Sequence, residues 1–291
     1  WTGDAHALSK ALIYNYGSQR FMSKYMFDMR SSGREVKREL YFGESFHDRS
    51  IQLKPKGIPT MIVPGRRTSG IASPDWGTAL VQLPWDLYLY YGDSVMLRNF
   101  YPDMKRWVQY IESKKEDGII PHGLGDWCPP GGNENIDTPV PVSSTAFHIL
   151  DVRIMRDAAE VLDLKEEQEY YSAMLEELKE DFNRDFLDME NFTYGSQTAN
   201  SMALHIGITP DSLRKKVAAS ILRNMEEEYD GYINTGIFGL PRIFQVLAEN
   251  GFEEEVYRIL TKEGRNSFAF MWEEYDATTL WEVLPLNDNY D

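Results

Sequence analysis

Four segments of the 291-residue chain each place a tryptophan within a few positions of an acidic residue. A tryptophan ring offers a flat, apolar partner to one face of a sugar, and a nearby carboxylate accepts hydrogen bonds from the sugar hydroxyls. For any one pair, the alternative is a core tryptophan beside a turn-capping aspartate. Four pairs in loop segments together favour a carbohydrate site. They are Trp1 with Asp4, Asp75 with Trp76, Asp126 with Trp127, and Trp281 with Glu282.

Cleavage of a glycosidic bond requires two carboxyl groups, one protonated to assist the leaving oxygen and one ionised to activate water or attack the sugar. Glu282 is the main candidate for the ionised group because it follows a tryptophan among apolar and threonine side chains, an environment that can tune a carboxyl pKa. Glu273 and Glu274 are its nearest competitors. The acidic runs at 226–228 and 253–255 are typical of solvated helix faces.

The remaining chemistry-bearing residues indicate neither a metal nor a cofactor. The five histidines show no helical metal-ligand spacing, and the sequence contains no nucleophile elbow and no phosphate-binding glycine loop. Cys128 is the sole cysteine, so the sequence supports no intrachain disulfide, and no recognisable base accompanies it as a nucleophile. We therefore expect a reaction that uses carboxyl groups alone.

Charge and composition narrow the class of partner. The chain has 30 basic against 46 acidic side chains, and its formal net charge of −16 repels a phosphate backbone, so we expect no nucleic acid partner. No apolar run approaches the roughly 18 residues of a membrane span, so we expect no membrane partner.

Because the chain is 42% hydrophobic and shows no linker or composition break, we predict a single domain over residues 1–291.

Helices must position these residues, because hydrophobic side chains recur at helical spacing through most of the chain. The clearest case is a pair of amphipathic helices at 145–162 and 166–186, whose short connection predicts an antiparallel hairpin. Their predicted buried faces are Phe147, Leu150, Ile154, Ala158 and Val161, then Tyr170, Met174, Leu178 and Phe182. The other predicted helices cover 5–30, 78–91, 95–115, 197–206, 211–228, 237–250 and 253–262, with a short one at 277–284.

Two segments carry helix boundary signals. Thr209 precedes Pro210 and is predicted to N-cap the helix that follows. Asn250 and Gly251 are predicted to end helix 237–250 through a glycine C-cap.

Between the helices lie segments rich in glycine, proline and tryptophan, which we interpret as loops gathered at one end of the fold. They span 64–77, 118–142, 188–196, 230–236 and 264–276. Residues 42–63 predict an extended excursion or a short β-hairpin. Since no long alternating stretch and no copied repeat is visible, we predict an all-α fold, a closed toroid of antiparallel helical hairpins rather than a solenoid.

Five motifs follow one another along the chain: Trp1-Thr2-Gly3-Asp4-Ala5; Pro74-Asp75-Trp76-Gly77 with Ala79, Pro84-Trp85 and Tyr91-Gly92-Asp93; Gly125-Asp126-Trp127; Thr235-Gly236 with Gly239; and Ala277-Thr278-Thr279-Leu280-Trp281-Glu282. In this order they resemble the catalytic domain of bacterial and fungal α-L-rhamnosidases, glycoside hydrolase family 78. The resemblance spans nearly the whole chain. It implies an (α/α)6 barrel that hydrolyses terminal non-reducing α-L-rhamnosides with inversion, at the barrel end where these loops meet. Asp276 replaces a glycine usual in the family, which leaves the sugar specificity open.

The resemblance also implies a role for each candidate residue. Glu282 corresponds to the general base, and Asp4 to an acid that holds sugar hydroxyls. The aromatic wall corresponds to Trp1, Trp76, Trp127 and Trp281, with Asp75 and Asp126 beside it. The family's general acid is a glutamate just ahead of the first motif, so the resemblance implies that it lies upstream of residue 1.

We therefore expect the chain to be a fragment of a larger multidomain enzyme, without the extreme N-terminal part of the toroid, and to be inactive alone. The implied partners are a terminal rhamnoside of a glycan or glycosylated small molecule and other domains of the same parent chain. The resemblance leaves the compartment open, with the bacterial cytoplasm and the periplasm as the two main alternatives.

Three alternatives stay open from the residues alone. One is a six-hairpin hydrolase that acts on another terminal sugar. Uronic acids are disfavoured because few basic residues lie near the motifs, with Arg66 and Arg67 as the main exception. Another is a non-catalytic carbohydrate-binding fragment that uses the same aromatic wall. The third is a helical protein-interaction array, which predicts an exposed apolar groove and no clustering of tryptophans.

Overall fold

The computed structural model describes residues 1–34, 38–42, 49–53, 56–64, 73–130, 132, 137–264 and 267–283. Within these residues the chain forms thirteen α-helices, one 3-10 turn and two β-strands. The predicted all-α class is therefore confirmed, with one short β-hairpin added to the helices. The chain divides into two compact units.

The first unit comprises Trp1–Leu124 and Ser144–Asp181. Its elements are α1 (Thr2–Ala7), α2 (Ser9–Asn15), α3 (Gln19–Arg34), β1 (Arg38–Phe42), β2 (Arg49–Leu53), α4 (Pro74–Gly77), α5 (Ala79–Tyr91) and α6 (Ser94–Glu112). The long helices α7 (Val140–Val161) and α8 (Lys165–Phe186) lie mostly in this unit.

The second unit comprises Gly125–Ser143 and Phe182–Asp291. Its elements are α9 (Gln197–Ile206), the 3-10 turn Asp211–Leu213, α10 (Arg214–Glu228), α11 (Leu240–Glu249), α12 (Glu253–Leu260) and α13 (Phe268–Tyr275).

The core of the first unit forms where α5 packs against α3 and α6. Asp93 caps α6, since its side chain accepts a hydrogen bond from the Met96 amide at 2.9 Å. Phe100 and Trp107 project from α6 and are fully buried. Burial of each such aromatic side chain stabilises the fold by roughly 2–3 kcal/mol, so α6 is a main contributor to this core.

The second unit is built around α9, which packs against α10 and α11, while α11 also packs against α12. Every residue of α9 except His205 is buried. A helix that is buried nearly all round lies at the centre of its unit. Its N-terminal residues, which include Thr198, are therefore held firmly by the surrounding core.

The predicted extended excursion is a β-hairpin that begins earlier than expected. Strand β1 pairs antiparallel with β2, in a register that places Arg38 opposite Leu53 and Phe42 opposite Arg49. The prediction for 42–63 is confirmed as to type, although β1 lies largely ahead of that range.

The long helix predicted at 5–30 is wrong, because the chain forms three helices there. Helix α1 ends at Ala7, and α2 ends before Tyr16, whose backbone is extended with φ −141° and ψ 154°. Helix α3 starts at Gln19. Apolar periodicity continues across both interruptions, so periodicity alone could not locate them.

The predicted tight connection between the two long helices is confirmed. Helix α7 ends in a Schellman motif, in which the Leu164 amide donates to the Ala159 carbonyl at 2.8 Å and the Asp163 amide donates to the Glu160 carbonyl at 3.1 Å. Asp163 adopts a left-handed φ of 57° at the position where glycine is usual. Three residues thus join α7 to α8.

The buried face of α8 differs from the prediction. Tyr170 is exposed and Met174 is half-buried, so placing them on the core face was wrong. A strict spacing of four residues drifts about 40° per step around a helix, since four residues span about 400°. The observed stripe alternates steps of four and three: Tyr171, Leu175, Leu178 and Phe182 are all buried.

The C-terminal helix also differs from the prediction. The helix lies at α13, within the segment predicted as a loop, and described residues 277–283 are not helical. Ser267 caps α13 by accepting a hydrogen bond from the Phe270 amide at 3.1 Å, and Asp276 ends it with a left-handed φ of 51°. The serine cap was the signal that the sequence interpretation missed.

The two boundary signals had different outcomes. Gly251 has φ 83° and follows α11, so the predicted glycine C-cap is confirmed. Thr209 is not the predicted N-cap. The 3-10 turn begins after Pro210, and α10 starts at Arg214.

Candidate active site

Helices α1 and α4 bring the first two tryptophan motifs together in the first unit. A Cβ at Gly3 would lie 2.6 Å from the Trp76 ring, so the missing side chain lets the indole pack directly on α1. His6 Nε2 donates a hydrogen bond to the backbone carbonyl of Asp75 at 2.8 Å. These contacts fix α1 against α4.

The side chains of Asp75 and Trp76 point into the unit. Asp75 is fully buried, and its Oδ2 accepts a hydrogen bond from the Leu124 amide at 2.6 Å. Trp76 is only 4% exposed. Both residues hold neighbouring backbone segments in place, and their direct contact with a sugar stays a prediction.

A cavity of about 240 Å³ lies beside α1. Its volume is near the lower end of small-molecule sites, about 300 Å³, which suits one sugar ring better than an oligosaccharide. Its lining is mostly apolar, with one carboxylate and one phenol: Trp1, Asp4, Ala5, Leu8, Leu12, Phe21, Met22, Tyr25, Val63 and Leu83.

Tyr25, on α3, is a lining residue that sequence reasoning missed. Its hydroxyl is buried and has no hydrogen-bond partner within the described residues. Burial, and then the charges of Asp4 and Asp28, raise the pKa of this hydroxyl, so it stays a protonated donor. No motif surrounds Tyr25 in the sequence, and only the folding of α3 brings it to the cavity. Tyr25 therefore lines the cavity, while its hydroxyl is buried and not exposed to it.

Asp126 organises the candidate site of the second unit. It is fully buried, and its carboxylate accepts hydrogen bonds from the amides of Gly236 and Phe238 at 2.7 Å and of Gly239 at 3.3 Å. The Thr198 hydroxyl, at the start of α9, also donates to it. Burial raises the pKa of the Asp126 carboxyl, and the four hydrogen bonds that it accepts oppose this rise.

The loop at 235–239 is held closely against the backbone of Trp127. The Trp127 carbonyl accepts a hydrogen bond from the Ile237 amide at 2.8 Å. A Cβ at Gly236 would lie 2.2 Å from the same carbonyl oxygen, so a larger residue would push the loop away. The half-buried Trp127 side chain is thus presented from a fixed backbone.

The last motif lies beyond α13 in the second unit. The Trp281 ring packs against Tyr275 with ring centroids 5.3 Å apart. Glu282 is exposed, and the prediction that it begins a final helix is wrong over the described residues, because residues 281–283 are not helical. An exposed carboxylate has the access to water that a general base requires.

Within each unit, the structure brings two of the five motifs together. In the first, Trp1 and Asp4 share the cavity, and Asp75 and Trp76 support the helix that carries them. In the second, Asp126 and Trp127 join the loop at 235–239. Asp75 and Asp126 also hold neighbouring backbone segments through their hydrogen bonds, and their contact with a sugar stays a prediction.

The part of the chain that the structure describes shows neither a metal-binding cluster nor a membrane-spanning helix. There, no group of three or more histidine, cysteine, aspartate or glutamate side chains is arranged to hold a metal ion. None of the described helices combines the length and apolar character needed to cross a bilayer. The expected absence of cofactors and metals stays a prediction.

Comparison with known proteins gives a match across the chain. Residues 1–290 match the model of the bacterial alpha-L-rhamnosidase 6 hairpin glycosidase domain. An alpha-L-rhamnosidase of Formosa agariphila is 36% identical over 271 residues, which cover 90% of this chain and 27% of that protein. One from an Alteromonas species is 30% identical, with 97% of this chain and 29% of that protein covered. The chain therefore spans between a quarter and a third of the length of these relatives.

Solved structures of α-L-rhamnosidases are also similar to this chain. The α-L-rhamnosidase of Dictyoglumus thermophilum superposes with a TM-score of 0.85 at 29% identity, over 97% of this chain and 30% of that one. The Streptomyces avermitilis α-L-rhamnosidase complexed with L-rhamnose gives a TM-score of 0.82 at 25% identity, over 97% of this chain and 25% of that one. The predicted six-hairpin class is confirmed, and the chain belongs to the bacterial α-L-rhamnosidase six-hairpin glycosidase domain family.

Proposed function

We propose that the chain carries the catalytic domain of a glycoside hydrolase that cleaves terminal non-reducing α-L-rhamnosyl residues with inversion. The observation that carries the proposal is the family match over residues 1–290. The two motifs that meet within each unit support this proposal, because a sugar site needs aromatic rings and carboxylates on a fixed backbone.

The cavity of the first unit supplies the sugar contacts in this proposal. Asp4, which lines this cavity, accepts hydrogen bonds from ring hydroxyls. Trp1 offers its ring to the apolar face of the sugar. The largely apolar remainder of the lining suits the methyl group of a 6-deoxy sugar such as rhamnose.

The second unit supplies the base and further aromatic surface. In the roles that the sequence resemblance implies, Glu282 removes a proton from the water that attacks the anomeric carbon, and Trp127 and Trp281 are aromatic residues that contact the sugar. Asp126 holds the loop beside Trp127. The general acid is the glutamate that the sequence resemblance places ahead of Trp1, and an inverting pair needs roughly 6.5–9.5 Å between its carboxyl groups.

Replacement of the base tests the proposal. We expect Glu282→Gln in the full-length protein to lower kcat on an aryl α-L-rhamnoside by about 10²–10⁴-fold, because the amide cannot take a proton from water. Steady-state kinetics with a chromogenic rhamnoside measure the change.

Glu274→Gln is the matched control, since Glu274 is also exposed, lies on α13 and loses the same charge. Its kcat should stay near that of the wild type. Unchanged turnover in Glu282→Gln would remove this residue from its role. A loss confined to Glu274→Gln would move the role to α13, and an inactive wild type would contradict the proposed reaction.

A further inference from the structure

A buried polar cluster lies directly behind the second tryptophan motif. Asp151, in the middle of α7, is almost fully buried. Its Oδ1 accepts a hydrogen bond from the Thr78 hydroxyl at 2.5 Å, and its Oδ2 accepts one from Trp107 Nε1 at 2.8 Å. Thr78 directly follows α4. One carboxyl group therefore joins α7, α6 and the 74–78 turn, which consists of the short helix α4 and Thr78.

The Trp107 ring makes a second contact with this turn. A Cβ at Gly77 would lie 1.9 Å from the ring, so the indole packs against the bare backbone of Gly77. Glycine is required there because any side chain would displace the ring. The hydrogen bond from Trp107 to Asp151 fixes the position of that ring.

The 74–78 turn contacts the helix that carries part of the candidate sugar site. Trp76 lies between the anchored residues and α1, and its ring packs on Gly3. Helix α1 carries Asp4 and follows Trp1, both of which line the cavity. A continuous line of contacts thus runs from Asp151 through the turn to the cavity.

Burial of a carboxyl group at this position costs free energy, so its presence needs a specific explanation. Burial raises the pKa of the Asp151 carboxyl well above its usual value, and the hydrogen bonds from Thr78 and Trp107 oppose the rise. An apolar residue would avoid this desolvation cost but would leave two buried donors without an acceptor. Fixing the two donors is the function that the geometry offers.

We infer that Asp151 is a positioning residue, which holds Thr78 and Trp107 so that the 74–78 turn and Trp76 support the sugar-binding residues on α1. The inference rests on the proposed function, since it assigns the cavity beside α1 to the sugar. Asp151 touches no part of that cavity and acts only through the turn.

Thr78→Val in the full-length protein tests this inference, because valine keeps the shape and removes the hydroxyl. If Trp1 and Asp4 bind the sugar equally in the ground state and the transition state, their displacement raises KM and leaves kcat unchanged. We expect KM for an aryl α-L-rhamnoside to rise about tenfold.

Thr145→Val is the matched control. Thr145 lies on α7 and, like Thr78, is fully buried, and its hydroxyl accepts one hydrogen bond, from the Ile120 amide at 2.9 Å.

Two variants of Asp151 test the carboxyl group itself. Asp151→Asn keeps an oxygen for Trp107, and its amide donates to the Thr78 hydroxyl, so KM should stay within about threefold of the wild type. Asp151→Ala loses both contacts and should resemble Thr78→Val. A rise in KM of equal size in Thr78→Val and Thr145→Val would show a general loss of packing and overturn the inference, as would an unchanged KM in Asp151→Ala.

Crystal structures of the two threonine variants separate this inference from the proposed function. We expect the Trp76 ring to move in Thr78→Val and to keep its place in Thr145→Val. If the wild type hydrolyses no rhamnoside, the proposed function fails, and the position of Trp76 still decides whether Asp151 holds the turn. An unmoved Trp76 ring overturns the inference whatever the activity.

Discussion

Asp75, Asp126 and Asp151 are the most deeply buried aspartates among the described residues, and each accepts hydrogen bonds from neutral donors: a backbone amide at Asp75, three amides and a hydroxyl at Asp126, and a hydroxyl and an indole at Asp151. Sequence reasoning found the first two because each adjoins a tryptophan, but it could not predict their burial, since acidic residues are mostly exposed. Asp151 carried one signal: it is a single acid within the apolar stretch of a predicted helix.

The protonation of His122 provides a prediction at the scale of a single residue. Burial, and then the positive charge of Lys114, lower the pKa of His122 from 6.5 to about 4. The unfolded chain binds the proton more readily, so the stability that the neutral ring contributes is complete above pH 6.5 and is lost as the pH falls towards 4. The loss is at most about 3 kcal/mol.

His122→Gln should therefore lose less stability than the wild type between pH 7 and pH 4.5, because glutamine does not titrate. Urea unfolding of both proteins at the two pH values measures the difference. The same pH dependence in both would show that His122 takes up its proton as easily in the folded state as in the unfolded state.

At the scale of elements, hydrophobic periodicity predicted most helices, and tertiary packing decided where they begin and which face they bury. Helix α8 illustrates this point, since Tyr171 rather than Tyr170 faces the core. The break at Tyr16 and the cap at Ser267 depend on local backbone geometry, which an apolar stripe does not report.

Two helix ends with the same hydrogen-bond pattern provide a matched prediction. Helices α7 and α11 both end in a Schellman motif, with Asp163 and Gly251 in the left-handed position. Glycine adopts this conformation without a steric cost. Asp163→Gly should therefore stabilise the protein by about 0.5–1 kcal/mol, whereas Gly251→Ala should destabilise it by at least that amount.

Asp163→Ala serves as the control, because it removes the charge and keeps the Cβ, and it should bring no gain. Chemical unfolding of the three variants gives the free energies. A gain in Asp163→Ala equal to that in Asp163→Gly would assign the effect to the charge instead of the backbone.

At the scale of the whole molecule, the order of five motifs predicted the family, and the match over residues 1–290 confirms it. The individual motifs could not fix the roles of their residues. Trp76 and the backbone carbonyl of Asp75 support α1, and the contact of these two residues with a sugar stays a prediction.

The stereochemistry of the first-formed sugar tests the central claim most directly. Proton NMR of the full-length protein hydrolysing an aryl α-L-rhamnoside follows the anomeric signals before mutarotation mixes them. Inversion predicts that β-L-rhamnose appears first and that the α-anomer grows in later. Release of α-L-rhamnose first, or no hydrolysis at all, would contradict a water-activating Glu282 in an inverting rhamnosidase.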